Sequence, residues 1–256
     1  MRVTPAVPVS LGAGTRLRVF VRSFAIQGSW NYRTLIGTGF AFALLPVLRQ
    51  VYAGRTTELR AAVERHASLF NSHPYLAGIA LGAVARMEVD GDPPELIERF
   101  KAALRGSLGT LGDRLIWAGW RPACMLFALV LLLLGVRWYA VAAAFLVCYN
   151  AGHLGLRWWA LHTGFTAGRG VAEKVRGSGL EKSRERIAST GAFLIGVGIP
   201  LLVVRGTGLE PVPLYAAVAA ALAAAAGLRY GTAARLPALV GIAVLVLIGF
   251  FLRSTP

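Results

Sequence analysis

One stretch, Gly106–Leu134 (GSLGTLGDRLIWAGWRPACMLFALVLLLL), sets what this chain can become. Gly106, Gly109 and Gly112 stand at spacing three and read as a flexible loop. Asp113, Trp117, Trp120 and Arg121-Pro122 come next as a charged, aromatic threshold, and an apolar run then continues to Val136, broken only by Gly135. Trp and Arg favour the membrane–water boundary because each joins an apolar body to a polar tip. Asp113 and Arg121 are charges where charge is costly, which points to a partner or a function for each. The chain before this stretch reads as amphipathic and interfacial, and the chain after it as membrane-spanning.

Arg137-Trp138-Tyr139 marks a far interface, and a second apolar segment, Ala140–Leu156, returns to Arg157-Trp158-Trp159. The pair reads as a membrane hairpin. Leu161–Arg186 is polar and glycine-rich and reads as a loop. From Arg157 to Arg186 seven basic residues (Arg157, Arg169, Lys174, Arg176, Lys182, Arg184, Arg186) face three acids (Glu173, Glu181, Glu185), so this stretch is expected in the cytoplasm. Three further segments, Ile187–Val204, Tyr215–Leu228 and Leu236–Leu252, are expected to span, leaving the C-terminus outside. Composition agrees: 56% of residues are hydrophobic and 15% charged, against about 45–50% and about 25% in soluble domains. The formal charge of +15 comes without an aromatic-interleaved basic patch. It therefore suits cytoplasmic loops and anionic lipid headgroups rather than nucleic acid. Cys124 and Cys148 lie in different apolar runs and read as small core residues, not a disulfide or metal pair.

The N-terminal third has a different texture. Residues 1–15 hold Pro5 and Pro8 without a sustained apolar core, so they read as a tail and not a secretory signal. From Arg16 the sequence alternates basic and apolar, as in a helix lying on a membrane surface. Leu35–Leu48 is apolar but short of the about 20 residues a span needs, and Pro46 is expected to bend or end it. Thr57–Phe70 has an amphipathic helical stripe, stopped by Asn71-Ser72-His73-Pro74. In the short apolar segment Tyr75–Met87, Gly78 and Gly82 permit close helix contact. Asp92-Pro93-Pro94-Glu95 reads as a capped start for a helix over Pro93–Leu104. The expected fold is an all-α integral membrane protein. Amphipathic and re-entrant N-terminal helices precede a membrane hairpin and further transmembrane helices.

No protease, hydrolase or phosphate-loop motif and no Cys-based metal spacing is present, and His66 and His73, seven apart, have no carboxylate at helical ligand spacing, so neither metal nor cofactor is expected. A different set stands out: Gln27, Trp30, Asn31, Asn71, His73, Asp113 and Trp117. Amides and carboxylates pair with vicinal hydroxyls, and tryptophan offers a flat face to the C–H side of a sugar ring. Plainer roles compete. Trp30 and Trp117 suit interfacial anchors, Asn71 a helix C-cap, Gln27 a partner for bent backbone, and Asp113 an ion pair with Arg114 or Arg121. Pro74, Arg121 and Pro122 read as structural or interface positions.

Several ordered blocks carry a family resemblance. Arg22-Ser23-Phe24-Ala25-Ile26-Gln27-Gly28-Ser29-Trp30-Asn31-Tyr32 resembles the opening motif of the IID membrane subunit of mannose/fructose/sorbose-type sugar phosphotransferase systems. Gly39–Leu48, Arg65-His66 with Phe70–Leu76, Leu111–Trp117 with Arg121-Pro122, and Arg157-Trp158 with Gly164-Phe165 resemble later blocks of the same family. On this resemblance the chain divides into a tail and amphipathic helix (1–21), a core with sugar-path motifs and hairpin (22–165), a basic cytoplasmic loop (166–186) and C-terminal transmembrane helices (187–256).

The resemblance implies a non-phosphorylated, non-catalytic, multi-pass subunit of the bacterial cytoplasmic (inner) membrane. It implies a hetero-oligomer with a IIC subunit that moves a hexose inward by an elevator motion while IIA and IIB components carry the phosphoryl group. Membrane lipid is the other expected partner. Members also serve as docking sites for some bacteriocins and phage DNA. The chain departs from the pattern at Arg33, where an acid usually follows the tyrosine, at Arg114, which usually is Ser, and at Trp159-Ala160 in place of Tyr-Gly. The two arginines motivate an alternative reading as a IID-like scaffold or sensor that has lost transport.

Overall fold

The computed structural model describes residues 11–207, and among them every regular element is helical. The elements are α1 (Ala13–Ser23), α2 (Gly37–Val51), α3 (Thr56–Ala67), α4 (Ala77–Val89), α5 (Pro94–Gly112), a π-helical segment (Asp113–Trp120), α6 (Arg121–Leu133), α7 (Trp138–Ala167), α8 (Val171–Arg176) and α9 (Leu180–Thr207). Among the described residues three stretches are long and apolar enough to cross a membrane: Pro94–Leu133, Trp138–Arg176 and Leu180–Leu202. The expected spans Tyr215–Leu228 and Leu236–Leu252, and residues 1–10 of the tail, lie outside the described residues.

The chain forms two compact units, one from residues 11–114 and 152–180, the other from 115–151 and 181–207. The first has a continuous core in which Phe40, Leu44 and Leu48 of α2 join Ile79 and Leu81 of α4, Ile97 of α5, and Leu161 and Phe165 of α7. Helix α1 contributes Thr15, Val19 and Ser23, four residues apart, to the buried side. Leu17 and Val21 stay exposed, giving α1 a second, apolar stripe.

Helix α4 is buried from Ala77 through Ala85, as a helix apolar on every side must be. It meets α7 through glycines. A Cβ on Gly82 would strike the backbone of Leu161, Gly164 and Phe165, and one on Gly164 would strike that of Ile79, Ala83 and Gly82. The close contact expected at Gly78 and Gly82 is therefore present, with Gly164 as its counterpart. In the second unit Val130 of α6 packs with Leu194 and Leu201 of α9. The sulfurs of Cys124 and Cys148 lie 3.7 Å apart, so residues from separate apolar runs touch as thiols.

Several local expectations are corrected. Gly106, Gly109 and Gly112 form no loop but the last turns of α5. Ile97, Lys101, Leu104, Leu108 and Gly112 make one buried line at spacings of four, three, four and four. Burying a leucine is worth about 1.5–3 kcal/mol, more than the about 1 kcal/mol a glycine costs a helix. The expected loop Leu161–Arg186 is largely helix, because Leu161, Thr163 and Phe165 are buried and carry α7 on to Ala167. Of the bend or end expected at Pro46, the end does not occur, since α2 continues to Val51 with Pro46 inside it. Pro93 occupies the cap position of α5 and Pro94 its first turn, while Asp92 pairs with Arg169 at 3.1 Å instead of capping.

Candidate functional site

The site begins with a loop. After α1, Ile26 is fully buried, and a Cβ on Gly39 would overlap its backbone, so the loop can close onto α2 only because residue 39 is glycine. Asn31 organises the turn that leads into α2. Its Oδ1 accepts the amides of Arg33 and Thr34 at 3.0 and 2.9 Å, and its Nδ2 donates to the Thr34 hydroxyl at 2.8 Å and the Ser29 carbonyl at 3.1 Å. This side chain uses its hydrogen-bonding capacity within the turn, as an Asx motif does.

The turn delivers Leu35 at φ 53°, the one non-glycine residue with positive φ among the described residues. Such a conformation costs about 1–2 kcal/mol and persists where surrounding bonds over-determine it. Those bonds are here: the Leu35 amide donates to the Asn31 carbonyl at 2.8 Å, Ile36 to Phe70 at 3.0 Å, and Phe70 to Thr34 at 3.2 Å. The Asn31 turn is thereby fastened to the segment that precedes Asn71.

Leu35, Leu69 and Asn71 form one wall of a pocket of about 420 Å³; Arg105, Gly106, Gly109, Thr110 and Asp113 form the other. The volume lies in the about 300–1,000 Å³ range of small-molecule sites. Asp113 is exposed, opens the π-helical segment and, among the described residues, makes no ion pair with Arg114 or Arg121. π-helical turns concentrate at functional sites because they break the regular backbone ladder.

Of the residues singled out from sequence, Asn71 and Asp113 thus share one pocket. Asn31 shapes its Leu35 wall. Gln27 is exposed in the same loop, and Trp30, half exposed, meets Tyr32 edge-on at 4.9 Å. His73 is buried, accepts the Tyr75 amide at 3.2 Å on Nδ1, and lies where a Cβ on Gly112 would strike its ring. Burial first, then the charge of Arg157, lowers its pKa to about 4, so it is neutral at pH 7. Pro74 is buried beside it in sequence. Trp117, Arg121 and Pro122 belong to the second unit, where the Arg121 guanidinium lies 5.3 Å from the Trp117 ring centre.

Two supports were not legible as such. Glu88 ends the apolar helix α4, and its carboxylate accepts from Tyr52 Oη at 2.7 Å and Arg65 Nη2 at 2.8 Å, with His66 Nε2 at 2.7 Å. Lys101 is buried and donates to the carbonyls of His66 at 2.8 Å and Arg65 at 3.3 Å and to the Ser68 hydroxyl at 3.3 Å. A cation at the C-terminus of α3 complements the helix dipole. It also fixes the segment running to Asn71. The available signal was positional: Lys101 falls on the buried line of α5. Arg157, quoted within a family block, is buried; it donates to the Ser23 carbonyl at 2.9 Å and lies under 5 Å from the ring centres of Phe24 and Tyr75. Among the described residues no three His, Cys, Asp or Glu side chains come together to hold a metal.

Residues 10–211 match the model of the PTS system mannose/fructose/sorbose family IID component. The chain is 29% identical over 207 residues to the sorbose-specific EIID component of Lacticaseibacillus casei, covering 76% of this chain and 72% of that protein. It is 28% identical over 202 residues to the mannose-specific EIID component of Escherichia coli K12, covering 74% and 71%. A solved membrane protein superposes with TM-score 0.65 at 26% identity over 73% of this chain and 70% of that one. A chain of the mannose transporter ManYZ–microcin E492 complex does so with TM-score 0.56 at 22% identity over 94% and 97%, a likeness of fold. The chain therefore belongs to the IID component family of the mannose/fructose/sorbose phosphotransferase systems.

Proposed function

We propose that this chain pairs with a IIC subunit in the bacterial inner membrane and contributes to the path of a hexose-class sugar, which IIA and IIB components phosphorylate. The chain itself is not catalytic. The observation that carries this reading is the meeting of Asn71 and Asp113 on one pocket, beside a strained Leu35 and a helix face bared by Gly106 and Gly109. Amide and carboxylate are the groups that recognise vicinal hydroxyls, and a site at interrupted helices is the common arrangement in transporters. The IIC subunit completes the site from the open side. The exposed Leu17 and Val21 stripe of α1 supports an interfacial position for that helix, and the basic residues from Arg169 to Arg186 support a cytoplasmic position for that region.

The test is sugar binding by the complex with its IIC subunit in nanodiscs. Losing one polar partner of a desolvated hydroxyl costs roughly 1–3 kcal/mol, and about 1.4 kcal/mol is tenfold in affinity, so Asn71→Ala and Asp113→Asn are each expected to weaken binding by about tenfold or more while subunit pairing persists. Unchanged affinity in both variants would return Asn71 and Asp113 to purely structural roles.

A further inference from the structure

Six arginines of the first unit are partly or fully buried among the described residues: Arg16, Arg22, Arg55, Arg65, Arg105 and Arg157. Five have acceptors. Arg16 donates to the Leu11 carbonyl, Arg22 to that of Phe42, Arg55 to Glu58, Arg65 to Glu88, and Arg157 to the Ser23 carbonyl. Arg105 has neither hydrogen bond nor ion pair among the described residues, and it lines the pocket that holds Asn71 and Asp113. Arg105 is partly buried and its guanidinium still reaches water. An arginine that lines a concave site with its donors unused by the protein can take an acceptor that arrives with the ligand.

The pocket is also polarised. Arg105 and Asp113 are the two charged residues among its eight lining residues. They are eight positions apart, about 12 Å along the helix axis at 1.5 Å per residue. The cation therefore stands at one end and the carboxylate at the other. Between them Gly106 and Gly109 have no atom within 4 Å of where a Cβ would be, so a ring can approach the helix backbone closely. Asn71 and Thr110 supply an amide and a hydroxyl alongside.

Resting on the sugar-site reading above, we propose that the sugar recognised here carries a carboxylate: a sugar acid of the hexuronate type rather than a neutral hexose. The Arg105 fork takes the carboxylate through paired N–H donors, the geometry in which arginine is strongest. Asp113, at the far end, accepts from hydroxyls and is distant enough not to repel the acid group. A single cation matches a single negative charge, which favours a carboxylate over a doubly charged phosphate.

The experiment is calorimetric titration of the complex with its IIC subunit in nanodiscs, using D-glucuronate and D-galacturonate beside D-glucose, D-galactose and D-mannose. One uronate is expected to bind at least tenfold tighter than its neutral counterpart. Arg105→Gln is expected to weaken the uronate at least tenfold more than its neutral counterpart, and Arg105→Lys to restore part of that difference. A neutral hexose that binds as well as either uronate, with Arg105→Gln altering neither, overturns the acid-sugar proposal and leaves the site reading standing if Asn71→Ala still weakens the hexose. Equal losses for acid and neutral sugars in Arg105→Gln also overturn it, since the arginine would then serve hydroxyls or folding. Sugar binding untouched by Asn71→Ala removes the site reading and the proposal with it.

Discussion

Nε2 of His66 lies 2.7 Å from the Glu88 carboxylate, and both side chains are sealed from solvent. The Nδ1 of His66 is buried without a hydrogen bond, so the ring suits the neutral form with its proton on Nε2, donated to Glu88. Burial favours that neutral form and lowers the His66 pKa. Burial pushes Glu88 upward, but the hydrogen bonds from His66, Arg65 and Tyr52 prevail and hold it at about 2. One carboxylate thus ties the ends of α2, α3 and α4 together. Removing it strands Arg65, and breaking one side of a buried pair costs about 3–5 kcal/mol. Glu88→Ala is expected to lower the thermal midpoint of the solubilised protein by several degrees. A midpoint within a degree of the parent would contradict the network.

Acid should loosen the fold in two stages. Folded pKa values below the unfolded ones mean that the unfolded chain binds protons first, so stability falls with pH. His66, with its lowered pKa, and His73, at about 4, contribute stability that is complete above about 6.5 and drains as pH falls toward their folded values. Glu88 adds a second loss between its ordinary value of 4.5 and about 2. Thermal midpoints measured from pH 7.5 down to 4 are expected to fall steadily, and less so in His73→Asn. A flat profile over that range would show that these histidines are not buried neutral.

The hairpin of α6 and α7 has an internal ruler. Cys124 and Cys148 sulfurs stand 3.7 Å apart, against about 2.05 Å in a disulfide. A membrane-permeant oxidant is expected to remove both maleimide-reactive thiols within one chain and to leave Cys124→Ser unchanged. Failure to lose the thiols under conditions that oxidise other buried pairs would displace the register of the hairpin.

The crossing of α4 and α7 leaves no room for a methyl group. Gly164→Ala is expected to cost at least the 1–3 kcal/mol of an overpacked core, since the added carbon meets the backbone of Ile79, Ala83 and Gly82. Gly155→Ala, on the same helix with nothing within 4 Å, should be neutral or slightly stabilising. Similar thermal midpoints for the two variants would refute the crossing.

Local, periodic properties of the chain are legible before any fold is known. Apolar run length marked the long helices, and the Gly78 and Gly82 spacing marked the α4 contact. The glycines at 106, 109 and 112 misled because loop signals and a bared helix face share one composition; only the buried line through Leu104 and Leu108 separates them. Asn71 and Asp113 could be named as polar exceptions, but their meeting depends on the turn that sets Leu35 at positive φ. Glu88 and Lys101 were hidden for another reason: a charge on a buried helix face does not announce its partner in three dimensions.

Lys101 connects the buried scaffold to the proposed sugar site, which makes it the most informative single change. Its ammonium lies 5.0 Å from the Phe40 ring centre and 5.6 Å from that of Phe70 while it donates to the end of α3. Methionine matches the length and apolar stem but donates nothing, so Lys101→Met isolates the polar contacts. Hydrogen bonds involving a charged group are worth about 1.5–3 kcal/mol. Stability is therefore expected to fall by about that amount. The segment Ser68–Phe70 would lose its anchor, and Asn71 is the next residue, so sugar affinity of the complex should drop several-fold although Lys101 does not line the pocket. Lys101→Arg should not rescue, because the planar guanidinium does not fit a site built around three convergent acceptors. Titration at a temperature well below the variant's midpoint separates the two effects. Reduced stability with normal affinity would confine Lys101 to the scaffold and break the proposed link from α5 through the end of α3 to Asn71.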